Sequence, residues 1–169
     1  MTCGLRRPRQ WTPGGIVRGA RALALAVLFT AGLGAAPAWS ATASLQLSPA
    51  TASFPAANPD TTPSIGATEN PVGVTVSVNG GPGLVAQLTA LASGNLVSGP
   101  DSIPVNQIRW TATGSGFVAG ILSKDTTQLV GQWVGKTSVV GQLSFWLANS
   151  WSYPTGSYNQ TVVYTLVAT

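Results

Sequence analysis

Alternation of apolar and polar residues dominates the sequence from residue 41 onward. The clearest case is the segment 72–79, in which valine occupies every second position. Because successive side chains of a strand point to opposite faces, this pattern predicts a strand with one buried face. The segment 79–83 is rich in glycine and contains a proline. It predicts a reversal into a partner strand over 84–91.

Two longer alternating segments, 139–148 and 157–168, close the sequence, and we expect them to form an antiparallel pair. The turn-rich corner 149–156 separates them, with Pro154 and Gly156 as its turn residues. One face of each segment is apolar; these faces carry Val139, Leu143, Phe145 and Leu147 in the first and Tyr158, Val162, Tyr164, Leu166 and Ala168 in the second.

Shorter strands are expected over 44–48, 96–97, 103–113, 117–122 and 129–134, the last pairing with 139–148 through the turn 135–137. The proline-containing segment 56–71 predicts no regular structure, and no segment has a helical period. Seven to nine short strands with turn signals between them predict an all-β fold, an antiparallel β sandwich. A closed barrel is the alternative, but Pro49 and Pro55 favour an open sheet edge.

Residues 1–40 follow a different pattern. A lead with five arginines precedes an apolar core over 22–36, and Ala38-Trp39-Ser40 then offers small residues to a signal peptidase. The core of about fifteen residues is shorter than the ~20 that a membrane span needs. This arrangement predicts a secretory signal peptide over 1–40, cleaved after Ser40 or alternatively after Ala43, followed by one domain over 41–169.

Removal of residues 1–40 would reverse the charge of the protein. The whole chain has eight basic and four acidic residues, and five of the basic ones lie in the predicted signal peptide. The domain 41–169 keeps three basic residues against four acidic ones, a net charge of −1. This weak negative charge gives no basis for binding nucleic acid. We expect an exported bacterial protein of the extracellular space, cell surface or periplasm, without a membrane span in its mature form.

The residue types of the domain limit its chemistry. The chain has no histidine, and its one cysteine, Cys3, lies in the predicted signal peptide. Nucleophile–histidine catalysis and histidine- or cysteine-based zinc sites therefore lack their components. A carboxylate pair of the glycosidase type stays open as an alternative. The four acids are Asp60, Glu69, Asp101 and Asp125, each isolated in a turn-like context. We expect no enzyme, no cofactor and no metal, calcium included.

Tryptophan is the remaining candidate for binding. Trp110 and Trp133 fit the core pattern, whereas Trp146 lies opposite in parity to its apolar neighbours and Trp151 lies in the corner beside Tyr153. Exposed indoles stack on sugar rings and anchor protein partners, although aromatic residues of β sandwiches often pack across strands instead. We predict Trp146, Trp151 and Tyr153 as binding residues.

Four stretches resemble small exported bacterial immunoglobulin-like domains of the WxL, spore-coat-U and fimbrial-subunit types. These stretches are Leu45–Pro49, Asn70–Val78, Phe145–Asn149 and the corner with the last strand, Tyr153–Leu166. The resemblance implies that the sandwich is immunoglobulin-like and that it is a non-enzymatic surface or adhesion module. Its expected partners are other surface proteins or cell-wall polysaccharide, with self-association available through exposed strand edges. A carbohydrate-binding module using Trp146 and Trp151 is the alternative function.

Overall fold

The computed structural model describes residues 23–27 and 41–169. These ranges contain one 3-10 turn, Val105–Gln107, and no α-helix. The strands are Leu23–Val27 (β1), Thr42–Ser48 (β2), Ser64–Gly66 (β3), Val72–Asn79 (β4), Val85–Ala92 (β5), Leu96–Ser98 (β6), Asp101–Ile103 (β7), Ile108–Thr113 (β8), Gly120–Ile121 (β9), Gln128–Val134 (β10), Thr137–Ala148 (β11) and Gln160–Ala168 (β12). The predicted all-β class is confirmed.

Two sheets account for most of these strands. The six-stranded sheet has the order β2–β4–β11–β8–β9, with β3 also pairing with β11, and the four-stranded sheet has the order β1–β12–β5–β10. Strands β6 and β7 form a separate two-stranded ribbon. Among the described strands every pair is antiparallel except β1–β12, which is parallel.

The predicted apolar faces of the two sheets meet in one core. Val74, Val76 and Val78 of β4 are buried, as are Val162 and Tyr164 of β12. Trp110 and Trp133 are also buried, at 2 % and 7 % exposure, which confirms their prediction as core residues. Alternation therefore identified correctly which side of each long strand is covered.

The predicted strand partners were wrong in three places. β4 and β5, β10 and β11, and β11 and β12 were each expected to pair, but the two members of every couple lie in different sheets. β11 pairs instead with β3, β4 and β8, and β12 pairs with β5 and β1. A turn reverses the chain whether it joins neighbours in one sheet or crosses the core, so turn residues do not identify the partner.

Smaller differences concern short elements. The segment 56–71, expected to be irregular, contains β3. The predicted strand 103–113 holds only the last residue of β7, then the 3-10 turn and β8, and of the predicted strand 117–122 only β9 forms. A strand of three residues is too short to show a period, which explains why β3 was missed. β2 lies at the edge of the six-stranded sheet, next to Pro49, as the proline pattern predicted.

Most of the predicted signal peptide, and Ser40 at its preferred cleavage point, lie outside the described residues. The beginning of its apolar core, 22–36, forms β1, which lies alongside β12 from Leu23 opposite Gln160 to Val27 opposite Tyr164. Ala43, the alternative cleavage point, lies in β2 opposite Val78. Within the part of the chain that the structure describes, no helix has the length and apolar character needed to cross a bilayer.

Candidate functional site

Trp146 lies near the C-terminal end of β11, on the outer face of the six-stranded sheet. Its direct cross-strand neighbours are Gly66 of β3 on one side and Arg109 of β8 on the other. The indole ring passes close over Gly66: a Cβ atom added there would lie 3.2 Å from Cζ3 of the ring. The missing side chain of Gly66 therefore provides the space in which the half-buried indole lies against the sheet.

The indole N–H of Trp146 differs from those of the other described tryptophans. Three indoles donate a hydrogen bond: Trp110 to the Val118 carbonyl at 2.8 Å, Trp133 to the Ser115 carbonyl at 2.8 Å and Trp151 to Asp60 Oδ1 at 2.9 Å. Trp146 donates none to any described residue. Buried indoles normally donate to an acceptor within the protein. The Trp146 N–H has none among the described residues, so it is available to a ligand or to water.

The surface around Trp146 is polar and almost uncharged. We call it the polar face; its outward side chains are Ser44, Gln46, Ser48, Thr75, Ser77, Arg109, Thr111, Thr113, Gln142, Ser144 and Trp146. Two apolar residues, Val140 at 69 % exposure and Ile121 at 54 %, interrupt it. Arg109 is the one charged residue in the strands of this sheet. Hydroxyl and amide groups in such an array can hydrogen-bond to a ligand without strong electrostatic selection.

Asn70 holds β11 in place directly before Trp146. Its side-chain Nδ2 donates to the Phe145 carbonyl at 2.8 Å, and its Oδ1 accepts from the Phe145 N–H at 2.8 Å. The Phe145 carbonyl also accepts from the Ala67 N–H at 3.0 Å. Phe145 lies between the stretch of β11 that pairs with β4 and the stretch that pairs with β3. Asn70 therefore supplies the bonds that a neighbouring strand would otherwise make.

Trp151 extends the same end of the sheet. Its side chain is 69 % exposed, and the bond to Asp60 ties it to the loop that precedes β3. Asn149 holds that loop as well, since its Nδ2 donates to the carbonyls of Ala57 at 3.1 Å and Thr62 at 3.0 Å. Trp146 and Trp151 are five residues apart along the chain. Their Cα atoms are therefore at most ~18 Å apart, although no ring contact joins them among the described residues.

Tyr153 occupies a different environment. It is half-buried, packs against the core and lines an apolar cavity of about 110 Å³ beneath the corner, together with Phe54, Ile65, Leu96 and Tyr158. The Tyr158 hydroxyl donates to the Pro154 carbonyl at 2.8 Å and so joins two residues of the cavity lining. The structure thus brings Tyr153 to the core side of the corner, and among the described residues no ring contact joins it to Trp146 or Trp151.

None of the described acidic residues belongs to a strand of the six-stranded sheet. Lys124 and Asp125 form an ion pair of 2.8 Å at the surface. Burial alone would raise the pKa of Glu69, but bonds of 2.6 Å from both the Ser53 N–H and the Ser53 hydroxyl hold that pKa below its ordinary value of 4.5. No group of three or more metal-ligating side chains occurs in residues 41–169.

Sequence reasoning located Trp146 on the outer face but missed Gly66 and Arg109. Both become relevant only through cross-strand register, which alternation does not reveal. The one available signal was an arginine in a strand that otherwise carries no charge. No protein-family model, curated protein or solved structure matches the chain at a significant level, so the polar face itself is the ground on which a function can be assigned.

Proposed function

We propose that this chain is a non-enzymatic, exported immunoglobulin-like β sandwich that binds a polymer at the cell surface or in the extracellular space. Residues 1–40 serve as its signal peptide, and wall polysaccharide is its foremost partner. The observation that carries this proposal is Trp146, a half-buried indole on the polar face whose N–H has no acceptor among the described residues.

The form of the polar face suits an extended glycan. Sugar rings present an apolar face that packs on an indole and hydroxyl groups that exchange hydrogen bonds with serine, threonine and glutamine. A sheet surface with such residues along several strands offers contacts to successive sugar units. Small-molecule sites are instead usually concave and enclosed. The apolar cavity under the corner has the wrong chemistry for sugar hydroxyls.

Catalysis finds no support in the contacts of the carboxylates. Asp60 accepts from Trp151, Glu69 accepts from Ser53 and Asp125 pairs with Lys124. Each of these contacts occupies its carboxylate with a separate structural partner. Glycosidase chemistry instead requires two carboxyl groups that face each other across a substrate. A binding role is therefore the simpler account of the residues that the face presents.

A protein partner is the second candidate, favoured by the parallel pairing of β1 with β12. Under the proposed removal of residues 1–40, the edge of β12 loses this neighbour. An open strand edge presents unpaired N–H and C=O groups that can accept a strand from another protein or from a second copy. This mode would use main-chain bonds at the edge and would not involve Trp146.

The test is binding of the purified protein to insoluble wall polysaccharide, comparing the wild type with Trp146→Ala. Truncating an aromatic anchor costs on the order of 2 kcal/mol, so affinity should fall more than about tenfold. Val140→Ala is the matched control, because this exposed side chain lies on the same face about 20 Å along β11.

Circular dichroism of each variant should match that of the wild type, since both substitutions remove outward side chains. Unchanged affinity of Trp146→Ala would refute a role for the polar face. If polysaccharide binding is absent altogether and the protein instead forms concentration-dependent oligomers, strand addition at β12 becomes the better account.

A further inference from the structure

We infer that the polar face selects sugar polymers that carry anionic groups, with Arg109 as the residue that pairs with the anion. This inference rests on the proposed function, because it assigns a ligand class to the same face. It concerns a residue that alternation alone did not single out.

Arg109 is placed beside Trp146 by the register of β8 and β11. Side chains directly opposite each other in an antiparallel pair have Cβ atoms about 5 Å apart. A ligand that stacks on the indole therefore comes within reach of the guanidinium. On its other side Arg109 lies directly opposite Ile121 of β9, whose apolar side chain is exposed.

The charge of Arg109 has no partner in the described protein. It is exposed, and neither an ion pair nor a hydrogen bond joins its guanidinium to another described residue. The indole of Trp146 does not engage it either, because the described residues contain no cation–π pair. Of the described acids, Asp60, Glu69 and Asp125 lie in loops and Asp101 lies in β7, so none belongs to a strand of the six-stranded sheet.

The chemistry of the guanidinium determines the class of ligand. Its planar donors match the two oxygens of a carboxylate or the oxygens of a phosphate, and such charge-assisted bonds are about twice as strong as neutral ones. A uronic acid unit and a phosphorylated sugar both present a ring for Trp146 and an anion for Arg109. The shared chemistry is a sugar ring with an anionic group within reach of the stacked position.

The decisive comparison uses one polymer with its charge present or masked. Polygalacturonate carries free carboxylates, and the methyl-esterified polymer has the same backbone without the charge. We expect the wild type to bind the free acid about tenfold more tightly, as a charge-assisted pair predicts. Arg109→Gln should bind the two polymers equally. In the wild type, 0.5 M salt should remove most of the difference in affinity between them, because it shortens the Debye screening length to a few ångströms.

Lys136→Gln is the matched control, since it removes the same charge from an exposed turn residue roughly 30 Å from Trp146 along β11. It should retain the preference of the wild type. A phosphodiester-bearing mannan provides the second arm: binding of this mannan that weakens about tenfold in Arg109→Gln, without binding of polygalacturonate, would support the inference with phosphate as the anion.

The outcomes separate this inference from the proposed function. If Trp146→Ala abolishes binding while Arg109→Gln keeps the full preference, the proposed function stands and the anionic inference is wrong. Measurable and equal binding of the free and esterified polymers by the wild type would also overturn it. If Trp146→Ala leaves all binding unchanged, both proposals fail together.

Discussion

The outer faces of the two sheets differ in what they can recognise. The polar face of the six-stranded sheet has hydroxyls, amides, one indole and one cation. The four-stranded sheet instead presents an aliphatic face, whose outward apolar residues are Val85, Leu91, Leu129, Val134, Val163 and Val167. The polar residues on this face are Gln87, Thr89, Gln132, Thr161 and Thr165, and Nε2 of Gln87 lies 3.4 Å from Oε1 of Gln132. The strands β5, β10 and β12 contain no charged residue.

This difference shows where specific recognition can reside. An aliphatic surface attracts any other apolar surface, because the hydrophobic effect has no direction. Hydrogen-bond donors and charges, by contrast, select a partner by geometry. The strands of both sheets follow the same alternating pattern. The difference between the polar face and the aliphatic face therefore arises from the outward residues, which packing in the core does not constrain.

The largest expected effect concerns the bonds that brace the polar face. Asn70→Ala leaves the Phe145 N–H without its acceptor, and an unsatisfied, partly buried donor costs about 1–3 kcal/mol. Equilibrium urea unfolding measures this loss. Gln132→Ala is the counterpart on the aliphatic face, where an exposed bond is lost, and its effect should stay within about 0.5 kcal/mol. Equal losses in the two variants would contradict this contrast.

An intermediate effect is expected from Gly66→Val, which changes no residue proposed to touch the ligand. Even a Cβ would lie 3.2 Å from the Trp146 ring, and the additional methyl groups of valine must displace the indole. Affinity for polysaccharide should fall about fivefold, equivalent to roughly 1 kcal/mol. Gly81→Ala serves as the control, because a Cβ there meets no heavy atom within 4 Å. Wild-type affinity in Gly66→Val would show that the position of the indole is unimportant.

The smallest effect is expected on the aliphatic face. Val134 is 68 % exposed, so Val134→Gln should change both stability and polysaccharide affinity by less than about 0.5 kcal/mol. It should nevertheless reduce light scattering at high protein concentration, because exposed apolar surface promotes association. Val140→Gln, an isolated apolar residue on the polar face, should leave scattering unchanged. A loss of polysaccharide binding in Val134→Gln would show that the four-stranded sheet binds the polymer, which contradicts the assignment to the polar face.

Alternation predicted the strands and their buried sides because burial acts on each residue individually. Val74 and Tyr164 needed only the period of two, and the parity of Trp146 placed it outward in the same way. Which strands pair depends instead on whether a turn joins neighbours in one sheet or crosses from one sheet to the other. The turns at 79–83 and 135–137 cross between the sheets, but the same residue types would also suit a hairpin. The candidate site was therefore half predicted: its indole followed from parity, whereas Gly66 and Arg109 depended on register.

The three crossings between sheets also have a consequence for folding kinetics. The six-stranded sheet is complete once β11 has been made, but β5 and β10 cover only part of its apolar face until β12 joins β5. Residues such as Val162 and Leu166, in the last strand to be made, complete the core. Contacts between residues so distant in sequence form slowly, because the loop entropy is lost before they are gained. We therefore expect the domain to stay unfolded until β12 has been synthesised, a state in which a polypeptide can still pass through a narrow channel.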